Sequence, residues 1–129
     1  MPKLGFGHKV RTVHSTQSVT VEIDGEVVAE SSRPVVLYET GLPVRYYLPP
    51  EDVRLELFEG TETRTTCPFK GEASYWTYVG PKGGGAEARP DVVWAYPQPI
   101  DGVGDIAGHL SFYDNIAHVV VEGEPPAAG

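Results

Sequence analysis

Cys67 and Lys70 stand three residues apart across a proline, in the run Thr65-Thr66-Cys67-Pro68-Phe69-Lys70-Gly71-Glu72-Ala73-Ser74-Tyr75-Trp76. Cys67 is the only cysteine of the chain. A thiol becomes a nucleophile when its pKa is lowered, and a nearby ammonium group lowers it. Cys67 as nucleophile and Lys70 as acid/base are therefore the candidate catalytic residues. The plainer reading of Cys67 is a small core side chain at a strand end, since free cysteine is among the most buried residue types. Lys70, held at a turn, either points into a pocket to meet an anion or stays in solvent.

Glu39 ends the apolar run Val35-Val36-Leu37-Tyr38, where a carboxylate is costly unless paired. Arg33, Arg45 and Lys70 are the available partners. A pair beside Cys67 would be a site, whereas a pair alone would be structural. Tyr47 and Tyr75, with Trp76, Trp94, Tyr96 and Tyr113, offer hydroxyl and indole donors to a pocket or fill the core. Strand alternation puts Tyr75 and Trp76 on opposite faces, so they do not line the same pocket. Arg33, Glu39, Tyr47 and Tyr75 are the candidate ligand-binding residues. His8, His14, His109 and His118 show neither His-x-x-x-His nor His-x-His spacing. No metal or cofactor is expected, and His8 and His14 are expected to be exposed.

Composition narrows the choice of function. The chain has 129 residues, enough for one domain. A domain of this size buries roughly two-thirds of its unfolded surface and needs no disulfide or metal to fold. The net charge of -8 argues against nucleic acid as a partner, because phosphate contacts dominate that affinity. One cysteine excludes a paired Cys-x-x-Cys zinc cluster and fits a reducing compartment. No apolar run has the length of a signal peptide core or a membrane span, so the expected location is cytoplasmic, with no membrane partner.

The elements that must position these residues are short strands. Residues 1–17 are polar and read as a partly ordered arm. Residues 18–23 alternate, with Val19, Val21 and Ile23 on one face. Asp24-Gly25 then suits a two-residue type I′ hairpin, which needs positive φ at both positions. Residues 26–30 return as its second strand. Residues 35–39 and 44–48 are further strands, the latter stopped by Pro49-Pro50. Pro50-Glu51-Asp52-Val53 suits a helix opening, although residues 54–58 alternate like a strand, and Gly60 should end either. Residues 63–67, 73–79, 91–96, 109–113 and 118–121 complete the strands. The runs at 80–85 and 101–108 are glycine-rich connections. Residues 18–123 read as a single β domain, and 124–129 as a disordered tail. Short strands with Gly/Pro turns predict a mainly β sandwich or barrel-like fold.

The order of these features resembles a small bacterial and fungal family, domain of unknown function 427, also labelled nucleotidyltransferase-like. The resembling residues are Ala29-Glu30-Ser31-Ser32-Arg33, Tyr38-Glu39-Thr40, and Tyr46-Tyr47-Leu48-Pro49-Pro50-Glu51-Asp52-Val53. They continue with Thr66-Cys67-Pro68-Phe69-Lys70-Gly71-Glu72-Ala73-Ser74-Tyr75-Trp76, Trp94-Ala95-Tyr96-Pro97, and Ile106-Ala107-Gly108-His109-Leu110-Ser111-Phe112-Tyr113. The resemblance implies a single-domain antiparallel β-tent, its coiled sheets meeting at an angle, with at most one or two short helices. Some β-tent relatives bind zinc through paired cysteines, a site that Cys67 alone does not make. The transferase label finds no support in the residues. Metal-dependent nucleotidyl transfer needs clustered carboxylates. Asp24, Asp52, Asp91, Asp101, Asp105 and Asp114 include no Asp-x-Asp pair, and there is no phosphate-binding Gly-x-x-x-x-Gly-Lys-Ser/Thr loop.

One acid, two bases and a thiol favour a site for an anionic or zwitterionic metabolite around the Cys-Pro-Phe-Lys-Gly turn. Whether that site also turns its ligand over is left open by the residues. The alternative is a non-catalytic interaction domain that associates with itself, as a homodimer, or with another protein through a sheet edge.

Overall fold

β-Branched and aromatic residues in runs of five or six, broken by glycine and proline, favour extended chain over helix. The computed structural model describes residues 7–82 and 84–126. They form ten strands: β1 (Val10–His14), β2 (Ser18–Ile23), β3 (Glu26–Ser31), β4 (Val35–Glu39), β5 (Arg45–Tyr47), β6 (Phe58–Cys67), β7 (Gly71–Tyr78), β8 (Arg89–Ala95), β9 (Leu110–Phe112) and β10 (His118–Glu122). No α-helix occurs among the described residues. Three 3₁₀ turns, Pro50–Asp52, Leu55–Leu57 and Gly104–Ile106, stand where the sequence suggested a short helix or a long connection.

All strand pairings are antiparallel, and they build three sheets ordered β1-β4-β5, β10-β2-β3 and β6-β7-β8-β9. Leu48 and Leu110 exchange backbone hydrogen bonds of 2.8 Å in both directions, joining the end of β5 to β9. The Asp24-Gly25 turn has φ of 52° and 87°, the positive values a type I′ hairpin demands. Val19, Val21 and Ile23 of β2 are buried, as their alternation predicts.

Alternation along β7 and β8 divides the interior in two. Ala73, Tyr75, Trp94 and Tyr96 join Val35, Leu37, Tyr47, Val103 and Ile106 in one cluster. Tyr78, Val93 and Ala95 join Val19, Val21, Val28, Leu48, Leu57, Phe58 and Phe112 in the other, with Trp76 packed against it. Tyr75 and Trp76 thus serve opposite faces of one strand, as expected from the pleat.

Some boundaries differ from the sequence reading. The stretch read as a partly ordered arm contains β1, whose five residues pair in register with β4 from Val10↔Glu39 to His14↔Val35. Its residues are mostly half-buried, so it lacks the clean alternation that marks β2. Gly60 does not end an element. β6 runs through it, and the register with β7 shifts between Gly60 and Arg64. A glycine inside a strand marks such an irregularity. Residues 124–126 carry no regular structure, and the rest of the expected tail, 127–129, lies outside the described residues, as do residues 1–6 of the arm.

Candidate functional site

Pro68, Phe69 and Lys70 form the turn between β6 and β7. The Lys70 N–H donates to the Cys67 carbonyl at 3.1 Å, and the Lys70 carbonyl accepts from the Ile100 N–H at 3.0 Å. The next residue, Gly71, has φ of +123°, and a Cβ there would stand 3.3 Å from both the Gln98 carbonyl oxygen and Pro99 Cα. Only glycine fits this close approach with that backbone. The turn is thus clamped against the loop that follows β8, and Lys70 is aimed across to the end of β4.

There Lys70 Nζ forms an ion pair with Glu39 Oε1. His8 Nε2 donates to the other oxygen, Glu39 Oε2, at 2.9 Å. The His8 ring in turn stacks on Phe69 with centroids 4.1 Å apart. His8 is therefore half-buried, not exposed as expected, while His14 is exposed. The side chains of Glu39 and Lys70 are only 5% and 10% exposed. Burial pushes the Glu39 carboxyl up, but the hydrogen bonds from Lys70 and His8 outweigh it and hold the group below its ordinary value.

The pair faces a cavity of about 160 Å³ lined by Glu39, Leu42, Pro43, Arg45, Tyr47, Lys70, Tyr75, Trp94, Tyr96 and Tyr113. Trp94 Nε1–H donates to the Tyr47 hydroxyl at 3.0 Å. The Tyr75 hydroxyl and Thr65 Oγ1 are 2.7 Å apart. Tyr113 lies against Trp94, centroids 4.4 Å apart, and the Arg45 guanidinium sits 5.4 Å from the Trp94 ring centre. Arg45 Nη1 is also 3.7 Å from Asp114 Oδ2 at the surface. Burial pushes the Tyr47 and Tyr96 hydroxyls far above their ordinary range, and burial with the neighbouring Tyr75 pushes Tyr113 to about 12. At neutral pH these phenols are neutral hydrogen-bonding groups, not bases.

Of the residues singled out in the sequence, Glu39, Tyr47, Lys70 and Tyr75 come together at this cavity. Cys67 does not line it. It is half-buried at the end of β6, paired with Gly71, and packs against the cluster of Tyr47, Tyr75 and Trp94. Arg33 is elsewhere: its side chain is 61% exposed and its Nε donates to Asp52 Oδ2 at 3.2 Å, an oxygen that also accepts from the Ser31 hydroxyl. Of the partners foreseen for Glu39, Lys70 makes the pair, and Arg45 rather than Arg33 brings an arginine to the cavity. Arg45, Trp94, Tyr96, Tyr113 and His8 complete the site. The spacing of Trp94 and Tyr96, two apart on one strand face, carried a signal for both. His8 had none, because its contact with Glu39 spans 31 residues.

Among the described residues no three of His, Cys, Asp and Glu gather as a metal site. Asp24 pairs with Arg89, Asp52 with Arg33, Asp91 with the Thr61 and Thr63 hydroxyls, and Asp114 with Arg45. These carboxylates are engaged separately, which is the opposite of what metal-assisted nucleotidyl transfer requires. What the cavity offers is aromatic wall, neutral phenols, one arginine and an internally neutralised Lys-Glu pair.

No curated protein matches the chain. The sequence profile of the family described as Domain of unknown function (DUF427) matches residues 11–123, which covers every element from β1 to β10 save the first residue of β1. The chain belongs to this family.

Proposed function

We propose that the cavity binds a small anionic or zwitterionic metabolite, with its anionic group towards Arg45 and Lys70 and its body against Trp94 and the tyrosines. The observation that carries this reading is the Glu39–Lys70 pair, nearly buried and facing an aromatic cavity. A buried ion pair is a poor device for stability alone, since apolar side chains of similar volume commonly do as well or better. Charged groups so placed in a cleft point to recognition. The volume, about 160 Å³, is below the roughly 300 Å³ at which pockets for drug-sized ligands begin, so the ligand is smaller than a nucleotide. Binding is better supported than turnover. Lys70 is committed to Glu39, and Cys67 lies outside the cavity wall.

The test is a screen of small carboxylates and amino acids by Trp94 emission in a Trp76→Phe background, which leaves Trp94 as the sole indole reporter. A ligand that changes the emission saturably, and loses affinity in Arg45→Ala, supports the reading. A panel that produces only linear, non-saturating changes refutes it.

The alternative of self-association rests on β10, which among the described residues pairs only with β2 and leaves Val120 37% exposed. An exposed edge is a ready pairing surface. Sedimentation over a range of protein concentrations tests it, and a monomer throughout rejects it.

A further inference from the structure

Arg11 departs from the pattern set by the other arginines. Arg33, Arg45, Arg54 and Arg89 each meet a carboxylate, and Arg64 donates to the carbonyls of Thr61 and Thr63. Arg11 meets none among the described residues, and its Nη1 is the one buried side-chain nitrogen or oxygen there without a partner. Residues 1–6 and 127–129 contain no Asp or Glu that would pair with it. A buried donor left unmade is costly, which makes its position informative.

That position is on β1 opposite Tyr38 of β4, with the guanidinium carbon 4.7 Å from the ring centre. Stacking occupies the flat face of a guanidinium and leaves its in-plane N–H fork to meet a carboxylate or phosphate. Lys9 precedes Arg11 by two residues and falls on the same side of the chain. Its backbone is tied to Thr40 by bonds of 2.9 and 3.0 Å, and its side chain makes no ion pair among the described residues. A groove of about 260 Å³ runs over Lys9, Arg11, Tyr38 and Thr40. Glu39 and Leu42 line both this groove and the aromatic cavity, so the two sites adjoin. The Glu39 carboxylate does not repel an anion strongly here, because Lys70 and His8 hold both of its oxygens.

We propose that this groove is a second site, which binds the phosphate or carboxylate group of a small molecule through the in-plane N–H edge of Arg11 and the charge of Lys9, beside the Tyr38 ring that the guanidinium covers. In a chain of net charge -8 such a cation couple, without an acid partner among the described residues, draws anions locally against the overall field. The two anions share the chemistry of planar or tetrahedral oxygen pairs.

The experiment is a ¹⁵N NMR titration of the full chain with inorganic phosphate and, separately, acetate, each against chloride at matched ionic strength. The Arg11 Nε–Hε signal and the Lys9 and Thr40 amides read the groove, while Trp94 emission reads the aromatic cavity, so the two proposals succeed or fail separately. The expected result is saturable movement of the Arg11 signal with phosphate or acetate but not chloride, the responding anion naming the group. Arg11→Gln should weaken the binding seen at the amides about tenfold or more, as loss of a charge-assisted contact does. Lys9→Gln, at an exposed position that should not disturb folding, should weaken it less, and Arg33→Gln should leave it unchanged. Non-saturating shifts, equal shifts with chloride, or an affinity unchanged in Lys9→Gln and Arg11→Gln would overturn the proposal.

Discussion

Replacing Lys70 by methionine isolates the energetics of the buried pair. The change keeps the length and apolar stem of the side chain and removes the charge. Glu39 then stays in a site where its side chain is 5% exposed, with His8 as its remaining partner. Removing one member of a buried pair typically costs about 3–5 kcal/mol, and the retained His8 contact favours the lower end. With an unfolding entropy of roughly 2.1 cal/mol/K per residue, a chain of 129 residues loses about 11–18 °C in Tm for that range. The double variant Glu39→Gln/Lys70→Met should recover most of this loss, because no unpaired charge remains.

The pH dependence gives a sharper check. The folded-state pKa of Glu39 is held below its ordinary value. Its ionised form therefore contributes stability that is fully present above the ordinary carboxylate range and is lost as the pH falls through the folded value. In Lys70→Met the burial that opposes ionisation prevails and raises that pKa, so protonation relieves the variant on acidification. The gap between wild type and Lys70→Met should be widest at pH 7 and should narrow towards about pH 4, near the ordinary glutamate value. Thermal melts of the three proteins across this range decide the matter. A Tm unchanged or raised in Lys70→Met at pH 7, or a gap that does not vary with pH, refutes the reasoning.

Other perturbations address neighbouring parts of the site. Tyr47→Phe leaves the buried Trp94 N–H without its acceptor and should cost about 1–3 kcal/mol in denaturant titrations, with the slope unchanged. Gly71→Ala must hold φ near +123° against backbone atoms 3.3 Å away, so it should destabilise by more than about 1 kcal/mol and displace Lys70, seen as weaker binding in the cavity. Cys67→Ala and Arg33→Ala should each leave cavity binding unchanged, since neither side chain lines it. A large loss of affinity in either would return that residue to the site.

The contrast between Arg33 and Arg45 shows what was legible beforehand. A carboxylate at the end of an apolar run demands a partner, and the demand is visible at Glu39 without coordinates. Which cation answers it is not, because the answer lies 31 residues along the chain at Lys70. Arg33 satisfied the same reasoning by type and proximity but belongs to the Asp52 cluster. β1 has no local signal for a related reason. Its strand character is conferred by pairing with β4, not by a strong pattern of its own.

By itself, the sequence determined the local geometry: the Asp24-Gly25 hairpin, the Cys67-Pro68-Phe69-Lys70-Gly71 turn, the opposite facing of Tyr75 and Trp76, and a mainly β chain. Each follows from backbone sterics or the two-residue period of a strand, which act over a few neighbours. Only the tertiary structure decided that Lys70 and His8 share Glu39, that Arg45 with Trp94, Tyr96 and Tyr113 closes the cavity, and that Arg11 meets no acid among the described residues. Those contacts form between strands far apart in the chain. Their partners are set by sheet order and register, and no local spacing encodes either.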